Sequence, residues 1–125
     1  MICAKGGNDT LSGRGGVDVL RGGPGFDFLA GGPRGDTLRG GGAADTMWAG
    51  KGNDDIFAGK GHDSAVGQAG ADFIRGGPGG DSCLSAIDGA PNDRVIGGRG
   101  VDTADRDPGD QVSAERVVDF FCFAG

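Results

Sequence analysis

Aspartate recurs in this chain at one unbroken interval of nine residues, at Asp9, Asp18, Asp27, Asp36, Asp45, Asp54, Asp63, Asp72 and Asp81. A period this strict constrains the fold before any residue propensity does, because each unit must return the chain to an equivalent place. Written in nines with Asp at the sixth position, the sequence contains eleven units. The first nine run without a break from Ala4 to Leu84. Ser85–Ile87 interrupts them, and two further units carry Asp93 and Asp102. Position eight is apolar throughout: Leu11, Leu20, Leu29, Leu38, Met47, Ile56, Ala65, Ile74, Cys83, Val95 and Ala104. Positions one, two and four are mostly glycine.

Composition removes the alternatives. Thirty of 125 residues are Gly, with seven Phe, one Trp and no Tyr, too few large apolar groups for a conventional core. Collagen needs Gly at every third position, which is absent here. Disorder would not keep the aspartate interval. The net charge of −6 argues against a nucleic-acid partner, which wants clustered Lys and Arg. No apolar run approaches the roughly 20 residues of a membrane span. The opening MICAKGGNDT does not read as a signal peptide. Ile2 falls at position eight of a unit whose first six residues would precede it, so any signal is expected upstream.

The nonapeptide is G-G-x-G-x-D-x-U-x with U apolar, a pattern associated with calcium-binding parallel β-helices. Over residues 4–105 the chain resembles the RTX (hemolysin-type) calcium-binding repeat family, and most closely its secreted actinobacterial members. The resemblance implies an all-β fold: a parallel β-roll, a right-handed β-solenoid with two nonapeptide repeats per coil. Each nine divides into a six-residue glycine-rich turn and a three-residue extended piece. The middle side chain of an extended triplet faces opposite to its neighbours, so position eight is expected inside and positions seven and nine outside. Stacked coils place parallel strands about 4.8 Å apart, which sets each loop over the loop two units on. Asp27 then lies over Asp45 and Asp45 over Asp63.

Stacked carboxylates and glycine-rich carbonyls are the oxygen set that Ca2+ takes, six to eight ligands at about 2.3–2.6 Å. The expected metal ligands are Asp9, Asp18, Asp27, Asp36, Asp45, Asp54, Asp63, Asp72, Asp81, Asp93 and Asp102. The family resemblance adds backbone carbonyls from positions two and four of one loop and positions one and three of its neighbour. One such site combines Gly23, Gly25 and Asp27 with Gly40, Gly42 and Asp45. In the contiguous array, five loops on one edge and four on the other enclose four and three sites, about seven Ca2+ ions in all. Seven divalent ions would carry the net charge from −6 to about +8. Departures mark weaker sites: Ala4 and Lys5 replace a glycine pair, and Arg34, Ala43 and Pro91 stand at position four. The Gly23–Asp45 site is therefore itself mixed, and the Ser85–Ile87 insertion is expected to break the stack before Asp93.

Residues 1–105 read as the β-roll and 106–125 as a capping segment, since Val112 to Phe123 is the most apolar stretch and a solenoid needs its end covered. A type I secretion signal is the other reading of this segment. Asp105, Asp107 and Asp110 do not form an EF-hand, because Gly109 and Arg116 fall at the wrong loop positions. Cys83 reads either as a small buried hydrophobe or as the partner of Cys122 in a disulfide suited to an oxidising exterior; Cys3 remains over.

Nothing points to catalysis. The single His, His62, sits at the variable fifth position of a loop with no nucleophile paired to it. Asn8–Thr10 matches a glycosylation sequon only because the loop consensus does, and no outward Thr row suits ice. Two outward columns stand out: Ala30, Trp48, Val66, Leu84 on one face and Arg21, Arg39, Phe57, Arg75 on the other. They are either solvated surface or a docking site for a protein or an anionic polysaccharide. The expected function is a non-enzymatic, secreted calcium-binding β-roll that folds on its ions. The alternative is the C-terminal folding or secretion module of a larger exoenzyme or adhesin.

Overall fold

The computed structural model of the chain describes residues 1–79, 83–86, 93–98, 103–106, 111–113 and 116–118. Odd-numbered strands form one sheet: β1 (Ile2–Cys3), β3 (Val19–Pro24), β5 (Thr37–Gly42), β7 (Asp55–Gly59), β9 (Phe73–Arg75), β11 (Arg94–Ile96) and β13 (Gln111–Ser113). Even-numbered strands form the other: β2 (Thr10–Ser12), β4 (Phe28–Pro33), β6 (Thr46–Lys51), β8 (Ser64–Ala69), β10 (Cys83–Ala86), β12 (Thr103–Arg106) and β14 (Arg116–Val118). Every pairing joins strand n to strand n+2 in parallel. The chain is a β-solenoid in which two nonapeptides make one coil.

Register is an offset of 18 residues through most of the stack, as in Leu20↔Leu38 and Leu29↔Met47. Two inward columns result. One runs Ile2, Leu20, Leu38, Ile56, Ile74, Val95, the other Leu11, Leu29, Met47, Ala65, Leu84. From Leu20 to Val95 and from Leu29 to Leu84 these side chains are fully buried. They face each other across a core one side chain deep on each side, so few large residues suffice.

The extended segments are longer than the expected triplet. In β3, β4, β5, β6 and β8 they run six residues, from position seven through position three of the next unit. Alternation continues through the glycine pair, so position one also points inward, and Ala49 and Ala58 there are fully buried. Glycine hides this from a sequence reading because it has no side chain to betray the alternation.

The structure corrects the reading around the insertion. Leu84, not Cys83, takes the inward place: it pairs with Ala65, and Cys83 pairs with Ser64, an offset of 19. The slip puts leucine in the core, and burying a Leu side chain contributes roughly 1.5–3 kcal/mol, more than the smaller cysteine offers. Leu84 therefore leaves the expected outward column, where Ser85 stands opposite Val66. The insertion does not break the stack. β11 pairs with β9 at an offset of 21, Arg94↔Phe73, and Ser85 and Ala86 of the insertion themselves pair within β10. Parallel pairing also continues past the last repeat, Arg94↔Gln111 and Thr103↔Arg116. Asp81, Pro91, Asp102, Cys122 and most of the expected cap lie outside the described residues.

The loops are reversed by residues with positive φ at positions two and four. Gly25 at position four has φ of 123°, and a Cβ built there would overlap the carbonyl of Gly7 in the coil before it. Arg34 and Ala43 hold the same position at 83° and 71°, at or just beyond the upper edge of the narrow left-handed region open to L-residues. Gly42, in contrast, has no neighbour within 4 Å of a built Cβ. Gly25→Ala should therefore lower stability in saturating calcium by about 2 kcal/mol or more. Gly42→Ala should be neutral or gain up to about 1 kcal/mol by restricting the unfolded chain. Urea denaturation of the two variants measures both.

Candidate metal centre

The aspartates stack as the period requires, and a specific bond holds them. The backbone N–H of each donates to Oδ1 of the aspartate one coil on: Asp9 to Asp27 (2.9 Å), Asp27 to Asp45 (2.9 Å) and Asp45 to Asp63 (2.8 Å) on one edge. On the other edge Asp18 donates to Asp36 (2.8 Å), Asp36 to Asp54 (2.6 Å), Asp54 to Asp72 (2.9 Å) and Asp72 to Asp93 (2.7 Å). The ladder thus crosses the insertion and brings Asp93 into line. A backbone bond runs beside each rung, as where Thr46 N–H donates to Asp27 O at 2.9 Å.

The second carboxylate oxygen has a different environment. Oδ2 of Asp9, Asp18, Asp27, Asp36, Asp45 and Asp54 is buried without a hydrogen bond. Buried polar atoms are seldom left so, and each costs about 1–3 kcal/mol or more when charged. These oxygens crowd the position-one residues of their own loops. A Cβ built at Gly13 would lie 2.8 Å from Asp18 Oδ2 and 2.6 Å from the Gly31 carbonyl, and one at Gly40 would lie 2.5 Å from both Asp45 Oδ2 and the Ala58 carbonyl. A carboxylate oxygen of one loop and a position-one carbonyl of the next therefore border one point.

Of the groups assigned to the Gly23–Asp45 site, Asp27 Oδ2 and the Gly40 carbonyl border one point, whereas Asp45 Oδ2 borders the Ala58 carbonyl of the next coil. Asp27 Oδ2 and the Gly40 carbonyl both flank Gly22, and the Gly23 carbonyl projects onto Gly41 above it. Gly25 N–H donates to the Gly42 carbonyl at 3.3 Å, and Asp27 N–H donates to Asp45. Ala43 does not displace this arrangement. Among the described residues no three His, Cys, Asp or Glu side chains converge, so any ion held here takes most of its ligands from the backbone. A hard divalent cation fits that donor set, neutral carbonyls plus one carboxylate oxygen per loop.

Burial and mutual repulsion show in the acid–base properties. Burial pushes the carboxyls of Asp45 and Asp54 up to about 6, and neighbouring aspartates add to it, against the lowering effect of the backbone N–H each accepts. Asp36 and Asp63 are raised for the same leading reason, with the His62 charge opposing it at Asp63.

Some contributors were not foreseen from the sequence. Asn8 and Asn53, at position five, brace the next coil: Phe26 N–H donates to Asn8 Oδ1 (3.0 Å) and Ala71 N–H to Asn53 Oδ1 (2.9 Å). The Asn-Asp dipeptide at 8–9 and 53–54 was the available signal.

With the geometry in place, comparison with known families is decisive. A family model for the RTX calcium-binding nonapeptide repeat matches in four copies over residues 4–29, 30–65 and 52–83. The chain belongs to the RTX calcium-binding repeat family. Calcium binding by this β-solenoid follows from that membership. No curated protein and no solved structure matched the RTX chain.

The raised carboxyls give a signed pH dependence. A carboxyl whose folded pKa exceeds its unfolded value of 3.8 contributes stability below that value, and the contribution is lost as pH rises through about 6. The metal-free RTX chain should therefore hold more β-structure near pH 4 than at neutral pH, the reverse of ordinary acid denaturation. Circular dichroism in chelator across that range checks it; β-structure that falls on acidification contradicts it.

Proposed function

We propose that this chain is a non-enzymatic extracellular module that folds when several Ca2+ ions bind between its stacked loops. The observation that carries the reading is the row of buried Oδ2 atoms without hydrogen bonds, set beside carbonyls that border the same points. Bound calcium supplies the positive charge that such a row lacks. The two oxygens of each aspartate then divide the work. Oδ1 fixes the coil above to the coil below, and Oδ2 remains for the ion. Binding that occurs only in the folded state is folding free energy. Extracellular calcium modules bind in the range of about 0.1–1 mM, so such a chain stays open at cytosolic calcium and closes outside. Residues from both loops of a pair are the proposed ligands: Asp27 and Asp45 with Gly23, Gly25, Gly40 and Gly42, and the equivalent positions along both edges.

A non-catalytic role is supported by the chemistry on offer. The aspartates are engaged in the ladder, and His62 is exposed in its loop.

Asp45→Asn separates the two roles of the carboxylate. Asparagine keeps an acceptor for the Asp27 N–H but removes the charge, whereas Asp45→Ala removes both. Far-UV circular dichroism in chelator should show more β-structure for Asp45→Asn than for the parent chain. In a calcium titration both variants should need several-fold more calcium, by the loss of the charged Oδ2 that borders the Ala58 carbonyl. Full β-structure of the parent chain in chelator at neutral pH would sink the folding claim, and an unchanged midpoint for Asp45→Asn would sink the ligand assignment.

A further inference from the structure

The outward face of the odd-numbered sheet carries a continuous row of stacked cations and rings. Arg21, Arg39, Phe57 and Arg75 succeed one another at position nine. Beside them, Phe73 and Arg94 are neighbours at position seven. The Arg39 guanidinium lies 5.0 Å from the centre of the Phe57 ring, and Arg75 lies 5.3 Å from it. Arg75 also lies 4.5 Å from the Phe73 ring, and Arg94 lies 5.3 Å from that ring. Each Phe ring is thus shared by two guanidinium groups, and Arg75 bridges both. All four arginines are exposed, and Asp55 is the exposed acid on these strands between Val19 and Ile96.

Three consequences follow. A guanidinium stacked on a ring keeps its N–H donors in its own plane, where a carboxylate or sulfate can take two of them at once. The rings also hold long side chains that would otherwise lose rotamer freedom on binding, which lowers the cost of association. Finally, parallel strands repeat at about 4.8 Å, so the donors form a straight row on a flat surface. A flat sheet does not enter a nucleic-acid groove as a helix or ribbon does. Single strands stack their bases on open aromatic faces, and here Phe57 and Phe73 already carry guanidinium groups. Insertion into a lipid surface needs exposed apolar side chains, yet the exposed Trp48 belongs to the opposite sheet.

We propose that this face binds an extended anionic polysaccharide laid along the row, through Arg39, Arg75 and Arg94 with Arg21 extending it. The ladder aspartates lie in the loops at the edges, with Asp55 the exposed acid on the face itself, so calcium loading removes long-range repulsion without touching the contact. The inference rests on the chain being folded in calcium.

The test uses the full chain in millimolar calcium, with hyaluronate as the carboxylated polysaccharide and neutral dextran as control, followed by calorimetry. Hyaluronate should bind with an affinity that falls as salt rises, and dextran should not. The double variant Arg39→Ala/Arg75→Ala should weaken binding by about tenfold or more, since hydrogen bonds to charged groups are individually strong, with its β-signal in calcium retained. Lys51→Ala, which removes one exposed charge on the other sheet, should bind as the parent does. Arg39→Lys/Arg75→Lys should restore only part of the affinity, because the charge returns without the planar fork. Loss of binding that is equal for Lys51→Ala and the double variant overturns the proposal. So does tighter binding to oligothymidylate or to phosphatidylserine vesicles than to hyaluronate. A chain that folds in calcium and ignores hyaluronate overturns this inference alone; a chain that does not fold in calcium overturns the folding reading as well.

Discussion

Everything in this solenoid depends on stacking one aspartate over another at the interval of a single coil. The bond from Asp27 N–H to Asp45 Oδ1, repeated along both edges, fixes the rise, the register and the direction of the chain. It also creates the molecule's central conflict, because it lines up like charges in places shielded from water. Such a column is tolerable only when its carboxyls are protonated or when a cation lies among them. The pressure toward about 6 on Asp45 and Asp54 is that conflict expressed in proton binding. Calcium resolves it at a pH where protons do not.

The apolar core is correspondingly thin. Two columns of Leu, Ile, Met, Val and Ala meet face to face among the described residues, with Ala49 and Ala58 of position one beside them. A core of this depth sets which face of each strand is inside, and the loops determine whether the stack closes. The exposed faces are therefore free of core duty. One presents the Arg–Phe row; the other carries Phe28 and Trp48 with ring centres 5.7 Å apart.

Much of this was legible in the sequence because the period is a direct image of the coil. Nine residues per half-turn, an apolar eighth position and an aspartate sixth are enough to place Leu29 under Met47 and Asp27 under Asp45. Glycine concealed the rest. Position one reads as part of the turn until Ala49 and Ala58 show that it points into the core. The shift from Cys83 to Leu84 was hidden for a different reason. Counting in nines assumes that every unit keeps its phase, while the chain next to an insertion is free to slip one residue and bury the larger side chain. The same freedom let Asp93 rejoin the ladder at an offset of 21. The period itself predicts the Arg21–Arg39–Phe57–Arg75 column, whereas the lateral contacts of Arg75 and Arg94 with Phe73 depend on what stands beside it. They became visible only once the coils were built.

The most direct test of the central claim is to count the calcium ions bound per chain, by native mass spectrometry at saturating calcium, for the parent chain and for Asp45→Ala. If stacked aspartates hold ions in the gaps between loops, the parent chain binds several ions in a concerted step, and Asp45→Ala binds fewer, losing the ion of the gap that Asp45 Oδ2 borders. A parent chain that binds no ion or a single one, or a count unchanged by Asp45→Ala, would contradict the account.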